Sequence, residues 1–91
     1  MNTPQIAAID TALEIYYKNP ELCNKHILAL FGNHSTATIN RLKQRVKAEM
    51  IARGVRSYSA YSVNTKIAFE VWGIDVDDLE KRRAKLQKLG L

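Results

Sequence analysis

One stretch, from His26 to Gly54 (HILALFGNHSTATINRLKQRVKAEMIARG), constrains the fold more than any other part of the chain. It reads as a short apolar helix, a turn, and a long basic helix that opens with serine and threonine. Gly32 and Gly54 are predicted helix ends, because glycine takes the left-handed backbone conformation without steric cost. Two helices joined by so short a turn are typical of a helix-turn-helix. The remaining residues are expected to support these two helices.

Cap residues and apolar spacing predict the other helices. Thr3-Pro4 and Asn19-Pro20 each read as a capping side chain followed by a proline at the first helical position. Asn64 and Asp75 are predicted caps for two later helices, with Asp78 as a capping-box acid. Apolar residues then recur at steps of three and four. The predicted helices span residues 4–18, 20–31, 35–53, 64–72 and 76–89.

Residues 55–63 (VRSYSAYSV) interrupt the helical pattern. We expect these residues to form either an irregular loop or a minimal two-stranded wing. Tyr58 and Tyr61 are spaced so that they could stack on single-stranded bases, but packing under the fourth helix is the favoured expectation. With 91 residues and 46% hydrophobic side chains, we predict a single domain over 1–91. Its fold class is all-α, a compact bundle of about five helices containing a helix-turn-helix.

The net charge of +5 is concentrated in the middle of the chain. Residues 32–66 contain seven basic side chains against Glu49 alone, whereas 1–31 carry two bases and three acids, and 67–91 balance. One interpretation is a solvated basic surface that has no partner. Because the excess positive charge is concentrated on one helix and the loop after it, an anionic partner is favoured instead, and nucleic acid is the first candidate.

The third predicted helix divides into a buried side and an exposed side. Its apolar residues, spaced to face the core, are Ile39, Leu42, Val46 and Met50. Arginine suits guanine, and Asn or Gln suits adenine, so we predict base reading by Thr36, Asn40, Arg41 and Gln44. Polar and basic side chains around them are predicted to contact the DNA backbone: His34, Ser35, Thr38, Lys43, Arg45, Lys47 and Arg56.

Parts of the chain resemble known helix-turn-helix proteins. The run from Ser35 to Leu42 (STATINRL) is similar to the S-x-S-T-I-x-R-L run of bacterial and phage members. KAEMIARG and VNTKIAFEVWGI resemble small proteins of phages and conjugative transposons, in the excisionase and MerR-type group, and the match covers about residues 26–74. In that group a short wing follows the recognition helix and contacts the minor groove or the backbone. The resemblance assigns that role to Arg56, Ser57, Tyr58, Ser59, Tyr61 and Lys66.

The chain departs from this family in the turn and in the loop. Asn33 and His34 stand between the turn glycine and the serine cap, where the usual pattern has one residue. The loop before VNTKIAFEVWGI is shorter than in the family, and Asn64 replaces the usual proline. The angle between the two helices and the form of the wing are therefore left open by the resemblance.

Other classes of site find little support in the residues. His26 and His34 have no third ligand at metal spacing, and Cys23, alone in an apolar pattern, is predicted to be a buried small hydrophobe. No Gly-rich phosphate loop or nucleophile–base pair is recognisable. We therefore expect no catalysis, metal or cofactor. Without a secretory signal or a membrane-span pattern, a cytoplasmic protein is expected.

These observations predict sequence-specific binding of double-stranded DNA, with the helix over 35–53 in the major groove. The protein would be a transcriptional regulator or an excisionase-type factor of a phage or mobile element. It is expected to act as a homodimer or cooperative multimer through its first helix, its fifth helix, or both, because one recognition helix covers few base pairs. The alternatives are a binder of packaging sites, like a small terminase subunit, and a helical adaptor or inhibitor that binds an acidic protein.

Overall fold

The computed structural model describes residues 4–57 and 61–90, which form five helices and a two-stranded antiparallel sheet. The result is a mostly helical bundle with two consecutive helices joined by a short turn, as the sequence predicts. In chain order the elements are α1 (Ile9–Lys18), β1 (Glu21–Leu22), α2 (Asn24–Phe31), α3 (Thr36–Arg53), β2 (Val63–Asn64), α4 (Thr65–Val71) and α5 (Val76–Lys88).

A single hydrophobic core joins the helices. α1 packs against α2 and α5, while α3 packs against α2 and α4. Trp72 meets Phe31 edge to face with ring centroids 5.1 Å apart, a favoured aromatic geometry. Trp72 is buried in this core, with 5% of its surface exposed. The largest fully buried side chains are Leu13, Leu22, Ile27, Leu30, Leu42, Val46, Val63 and Phe69.

The first helix is shorter than predicted. It begins at Ile9, and its N-cap, Ala8, is extended and makes no side-chain capping bond. The segment before it is tied to α2 instead, because the Ala7 N–H donates to the Leu30 carbonyl at 2.8 Å. This tertiary hydrogen bond replaces the helical turns predicted to start at Pro4; the predicted cap, Thr3, lies outside the described residues.

The prediction that the second helix begins at Pro20 is wrong. Residues 21–22 form a strand whose partner is β2, with Glu21 opposite Asn64 and Leu22 opposite Val63. The Thr65 N–H also donates to the Pro20 carbonyl at 3.1 Å. Pairing with a segment some forty residues away therefore overrides the local cap-and-proline signal.

The described part of 55–63 contains no hairpin of its own. Within it, only Val63 belongs to a strand, and that strand pairs with β1. Residues 58–60, which include Tyr58, lie outside the described residues. Of the two alternatives, the described residues 55–57 and 61–63 therefore show no two-stranded wing, and Val63 instead begins a strand shared with the segment before α2.

Three predicted caps are confirmed by their hydrogen bonds. Ser35 Oγ accepts from the Thr38 N–H at 3.2 Å, Asn64 Oδ1 accepts from Ile67 at 2.9 Å, and Asp75 Oδ1 accepts from Asp78 at 3.2 Å. Each bond satisfies a first-turn N–H that has no partner within its helix. The starts of α3, α4 and α5 are thus determined by local sequence.

Cys23 caps α2 together with His26. The Cys23 N–H donates to His26 Nδ1 at 3.1 Å, which is the return bond of a capping box with histidine in the usual Glu/Gln position. Cys23 itself is only half-buried, so the prediction of a buried small hydrophobe is wrong. Burial and then the charge of Lys25 hold the pKa of His26 below its ordinary value of 6.5.

This arrangement predicts a loss of stability in mild acid. Since the pKa of His26 is lower in the folded than in the unfolded chain, its stabilising effect is complete above about pH 6.5 and is lost as the pH falls through the folded value. We expect the urea midpoint to fall between about pH 7 and about pH 5. His26→Gln keeps an acceptor for the cap without titrating, and should flatten this dependence. An equal fall in both proteins would contradict the assignment to His26.

None of the helices in the described part of the chain has the length and apolar character needed to span a membrane.

Candidate nucleic-acid interface

The turn between α2 and α3 is held by its own polar groups. Gly32 ends α2 with φ 84°, a backbone value that favours glycine. The Nε2–H of His34 donates to the Phe31 carbonyl at 3.2 Å, so the ring reaches back over the end of α2. The extra residue in the connector is therefore accommodated by a hydrogen-bonded turn. His34 and Ser35 are both exposed at the start of α3.

The four predicted base-reading residues share one exposed side of α3. Thr36, Asn40, Arg41 and Gln44 are all exposed and follow one another within the first half of the helix. The opposite side, which carries Ile39, Leu42, Val46 and Met50, is buried in the core. The structure thus places the four candidate side chains together, facing solvent.

The exposed side of α3 carries no acidic side chain. Glu49, the one acid of α3, is half-buried and bonded to Arg53 at 2.8 Å. Ala37 and Ala48 are small, exposed residues between and beyond the polar ones. A shallow depression lies there, lined by Arg41, Gln44, Arg45 and Ala48. This side of the helix offers donors and a positive charge with little steric bulk.

Lys43 is not placed to contact a phosphate. The side chain is on the face of α3 that meets α2, and the residue is 8% exposed. Its Nζ donates to Asn24 Oδ1 at 3.0 Å and to the Tyr61 carbonyl at 2.7 Å. Burial first, and then the charge of Lys47, lower the pKa of Lys43. We therefore remove Lys43 from the predicted backbone contacts, because its ammonium group already joins α2, α3 and the loop after α3.

A substitution at Lys43 should affect stability and not the salt dependence of DNA binding. Lys43→Met keeps the aliphatic stem but leaves two acceptors without a charged donor, which costs about 1–3 kcal/mol of unfolding free energy. A phosphate-contacting lysine would instead reduce the slope of log K against log salt by about one. Urea unfolding and a salt titration measure the two effects. Lys81→Met, at an exposed position of α5, is the control and should cost less stability. A reduced salt slope with unchanged stability in Lys43→Met would contradict this role.

The other residues predicted to contact the DNA backbone differ in how exposed they are to solvent. Arg56 is exposed, whereas Thr38, Arg45 and Lys47 are half-buried. Arg45 Nη2 donates to the Val71 carbonyl at 3.3 Å, so part of its guanidinium ties α3 to the end of α4. Thr38 lies with its hydroxyl 3.0 Å from that of Ser35. Arg56 and the residues of the turn are thus the most accessible members of this group.

The loop after α3 is closed at its base. Ser57 Oγ donates to the Ser62 carbonyl at 2.9 Å, and the buried Ser62 hydroxyl donates to a carboxylate oxygen of Glu21. Tyr61 is 78% exposed, so the expectation that it packs in the core is wrong. Tyr58 lies outside the described residues. The loop therefore presents a tyrosine to solvent while Lys43 and two serines hold its ends.

Lys66 is separated from the exposed side of α3. It lines a groove with residues of α1, α4, the segment leading into α5 and the first turn of α5, including Tyr16, Tyr17, Glu70 and Asp77. Three acids, Glu70, Asp75 and Asp77, line the same groove. The structure does not bring Lys66 together with Arg41 and Gln44, so its predicted backbone contact is not part of this surface.

Sequence reasoning missed one apolar residue of this surface. Ile51 is 79% exposed and stands seven residues after Gln44, which is two helical turns along the same side. Helical spacing alone could have identified it. Ile51 extends the exposed side of α3 beyond the polar residues.

Comparison of the chain with protein-family models, with curated proteins and with solved structures finds no match. Within the described residues, no group of three or more His, Cys, Asp or Glu side chains is placed to hold a metal ion.

Proposed function

We propose that this protein binds double-stranded DNA with α3 in the major groove. The observation that supports this most is the exposed, acid-free side of α3 that carries Thr36, Asn40, Arg41 and Gln44. An α-helix with its side chains is about 10–12 Å across, close to the ~12 Å width of the major groove. From Thr36 to Gln44 the helix rises about 12 Å, so these side chains reach a few adjacent base pairs.

Each of these residues has a chemistry suited to base edges. Arginine donates two parallel bonds to guanine O6 and N7, while Asn and Gln pair with adenine N6 and N7. The start of a recognition helix carries the base contacts in helix-turn-helix proteins. The turn residues His34 and Ser35 and the loop residue Arg56 are then the contacts to phosphate. In this proposal, the base and phosphate contacts together bring the N-terminal half of α3 against the DNA.

The biological task is inferred from the resemblance over residues 26–74. We infer a regulator of transcription or an excisionase-type factor of a phage or mobile element, acting as a homodimer or cooperative multimer. One exposed helix side covers too few base pairs for useful specificity, so pairing of two copies supplies the rest.

The test is selection from a random duplex pool, followed by fluorescence anisotropy at about 50 mM and 200 mM salt. We expect a preferred sequence and a steep loss of affinity at the higher salt. Lys18→Ala is the matched control, because it removes one exposed positive charge from α1 and should leave binding to the preferred sequence unchanged. No duplex binding even at low salt would sink the proposal and favour a helical adaptor for an acidic protein.

A further inference from the structure

A second surface lies away from the exposed side of α3. The segment before α1, the turn after α4 and the first half of α5 enclose a groove of about 470 Å³. Its apolar lining includes Ile6, Ile9 and Leu79, and Asp75, Asp78 and Arg82 stand among its polar residues. Ile6 and Ile9 are only partly buried against the core. The groove is therefore an apolar depression with carboxylates beside it.

The second half of α5 and its C-cap residue, Leu89, present leucines on the same side of the helix as this groove. Leu86 is 40% exposed and Leu89 is 65% exposed. They follow Leu79 and Arg82, which line the groove, at steps of three and four residues, and such steps keep side chains on one side of a helix. An apolar stripe thus runs from the groove toward the end of α5.

The charges of α5 are segregated along its length. Its first turn carries Asp77 and Asp78, with Asp75 at the cap, whereas its last turn carries Lys85 and Lys88. Two such helices side by side in parallel would place like charges together. In an antiparallel pair, the lysines of one copy face the aspartates of the other. The helix is therefore complementary to a second copy of itself in one orientation only.

We propose that two copies of this chain pair through antiparallel α5 helices, with Leu86 and Leu89 of each copy seated in the groove of the other. The two-fold axis passes near Arg82, whose charge is balanced within its own chain by Asp78 at 3.0 Å. Lys85 and Lys88 then lie opposite Asp75 and Asp78 of the second copy. Such an interface is isologous, so each contact occurs twice. This pairing goes beyond DNA binding and does not depend on it.

The first test is sedimentation equilibrium of the full chain without DNA. We expect a concentration-dependent dimer, and we expect Leu86→Ser with Leu89→Ser to raise its dissociation constant at least roughly tenfold, because both copies lose buried apolar contacts. Ile51→Ser, at an even more exposed apolar site on α3, should leave the dimer intact. A monomer at every concentration, or a dimer indifferent to the leucine substitutions, would overturn the pairing.

A charge exchange tests the orientation. One variant carries Lys85→Glu and Lys88→Glu; the other carries Asp75→Asn, which preserves the cap, and Asp78→Lys. The first variant alone places like charges opposite both aspartates, and the second alone places a like charge at position 78 and a neutral amide at position 75, so each alone should be monomeric. Mixed together, they remove every like-charge contact, pair opposite charges at position 78 of one copy and at both aspartates of the other, and should form a heterodimer. Circular dichroism confirms that both variants are helical. Dimers of either variant alone, or no complex in the mixture, would refute the antiparallel arrangement.

Discussion

Arg41→Ala is expected to weaken binding to the preferred duplex by about 1–3 kcal/mol, the discrimination that one bidentate arginine–guanine pair supplies. Arg41 is exposed in the second turn of α3, beside Asn40 and Gln44, so its substitution removes a contact without opening the core. Binding to a scrambled duplex should change less, because that complex depends on phosphate contacts alone. Fluorescence anisotropy against the selected and the scrambled duplex measures both affinities.

Arg41→Lys separates the two kinds of contact that this side chain can make. Lysine keeps the positive charge but lacks the planar fork that pairs with guanine. If Arg41 reads a base, Arg41→Lys should lose most of the sequence preference; if it contacts phosphate, Arg41→Lys should bind as the wild type does. Loss of the same affinity for both duplexes in Arg41→Ala would likewise contradict base reading, and it would move Arg41 to the group of backbone contacts.

The helix that carries Arg41 could be predicted closely because its signals are local. The Ser35 cap and Gly54, at φ 70°, stand at its two ends, and the apolar spacing between them belongs to one element. Each of these features acts through neighbours within a few residues. The exposure of Thr36, Asn40, Arg41 and Gln44 follows from the same spacing, so this part of the candidate site was also predictable.

Other parts of the fold depend on partners that are distant in sequence. Glu21–Leu22 is a strand because Val63–Asn64 lies beside it, and nothing near Pro20 indicates that pairing. Lys43 is buried because Asn24 and the Tyr61 carbonyl supply acceptors. A lysine one turn from Ile39 reads equally well as a solvated base or as a buried donor until those acceptors are known.

The same limit applies to the assembly of the site. Lys66 and Arg56 are both basic and both follow α3. Lys66 lines the groove formed by α1, α4 and the segment leading into α5, whereas Arg56 does not. The direction in which α4 presents Lys66 depends on how α4 packs against α3. Trp72 contributes to that packing, because its ring meets Phe31 of α2 and its Nε1–H donates to the Leu42 carbonyl of α3.

Trp72→Ala should be the most destabilising of the substitutions considered, at about 3–5 kcal/mol, the usual cost of truncating a buried aromatic residue to alanine. Trp72 packs edge to face on Phe31, and its Nε1–H donates to the Leu42 carbonyl at 3.2 Å. It therefore ties the end of α4 to both helices of the helix-turn-helix. Because a small domain has only about 5–15 kcal/mol of stability in total, we expect the urea midpoint to fall steeply.

Trp72→Phe divides this effect into its parts. Phenylalanine retains much of the aromatic packing but loses the bond to the Leu42 carbonyl, a net cost of about 0.5–1.5 kcal/mol. That carbonyl lies inside α3, so the helix's own i+4 N–H still satisfies it. We therefore expect Trp72→Phe to unfold at a urea concentration between those of the wild type and Trp72→Ala. If the wild-type and Trp72→Ala proteins unfold at the same urea concentration, Trp72 does not join α4 to the helix-turn-helix. A different contact would then have to hold the two together.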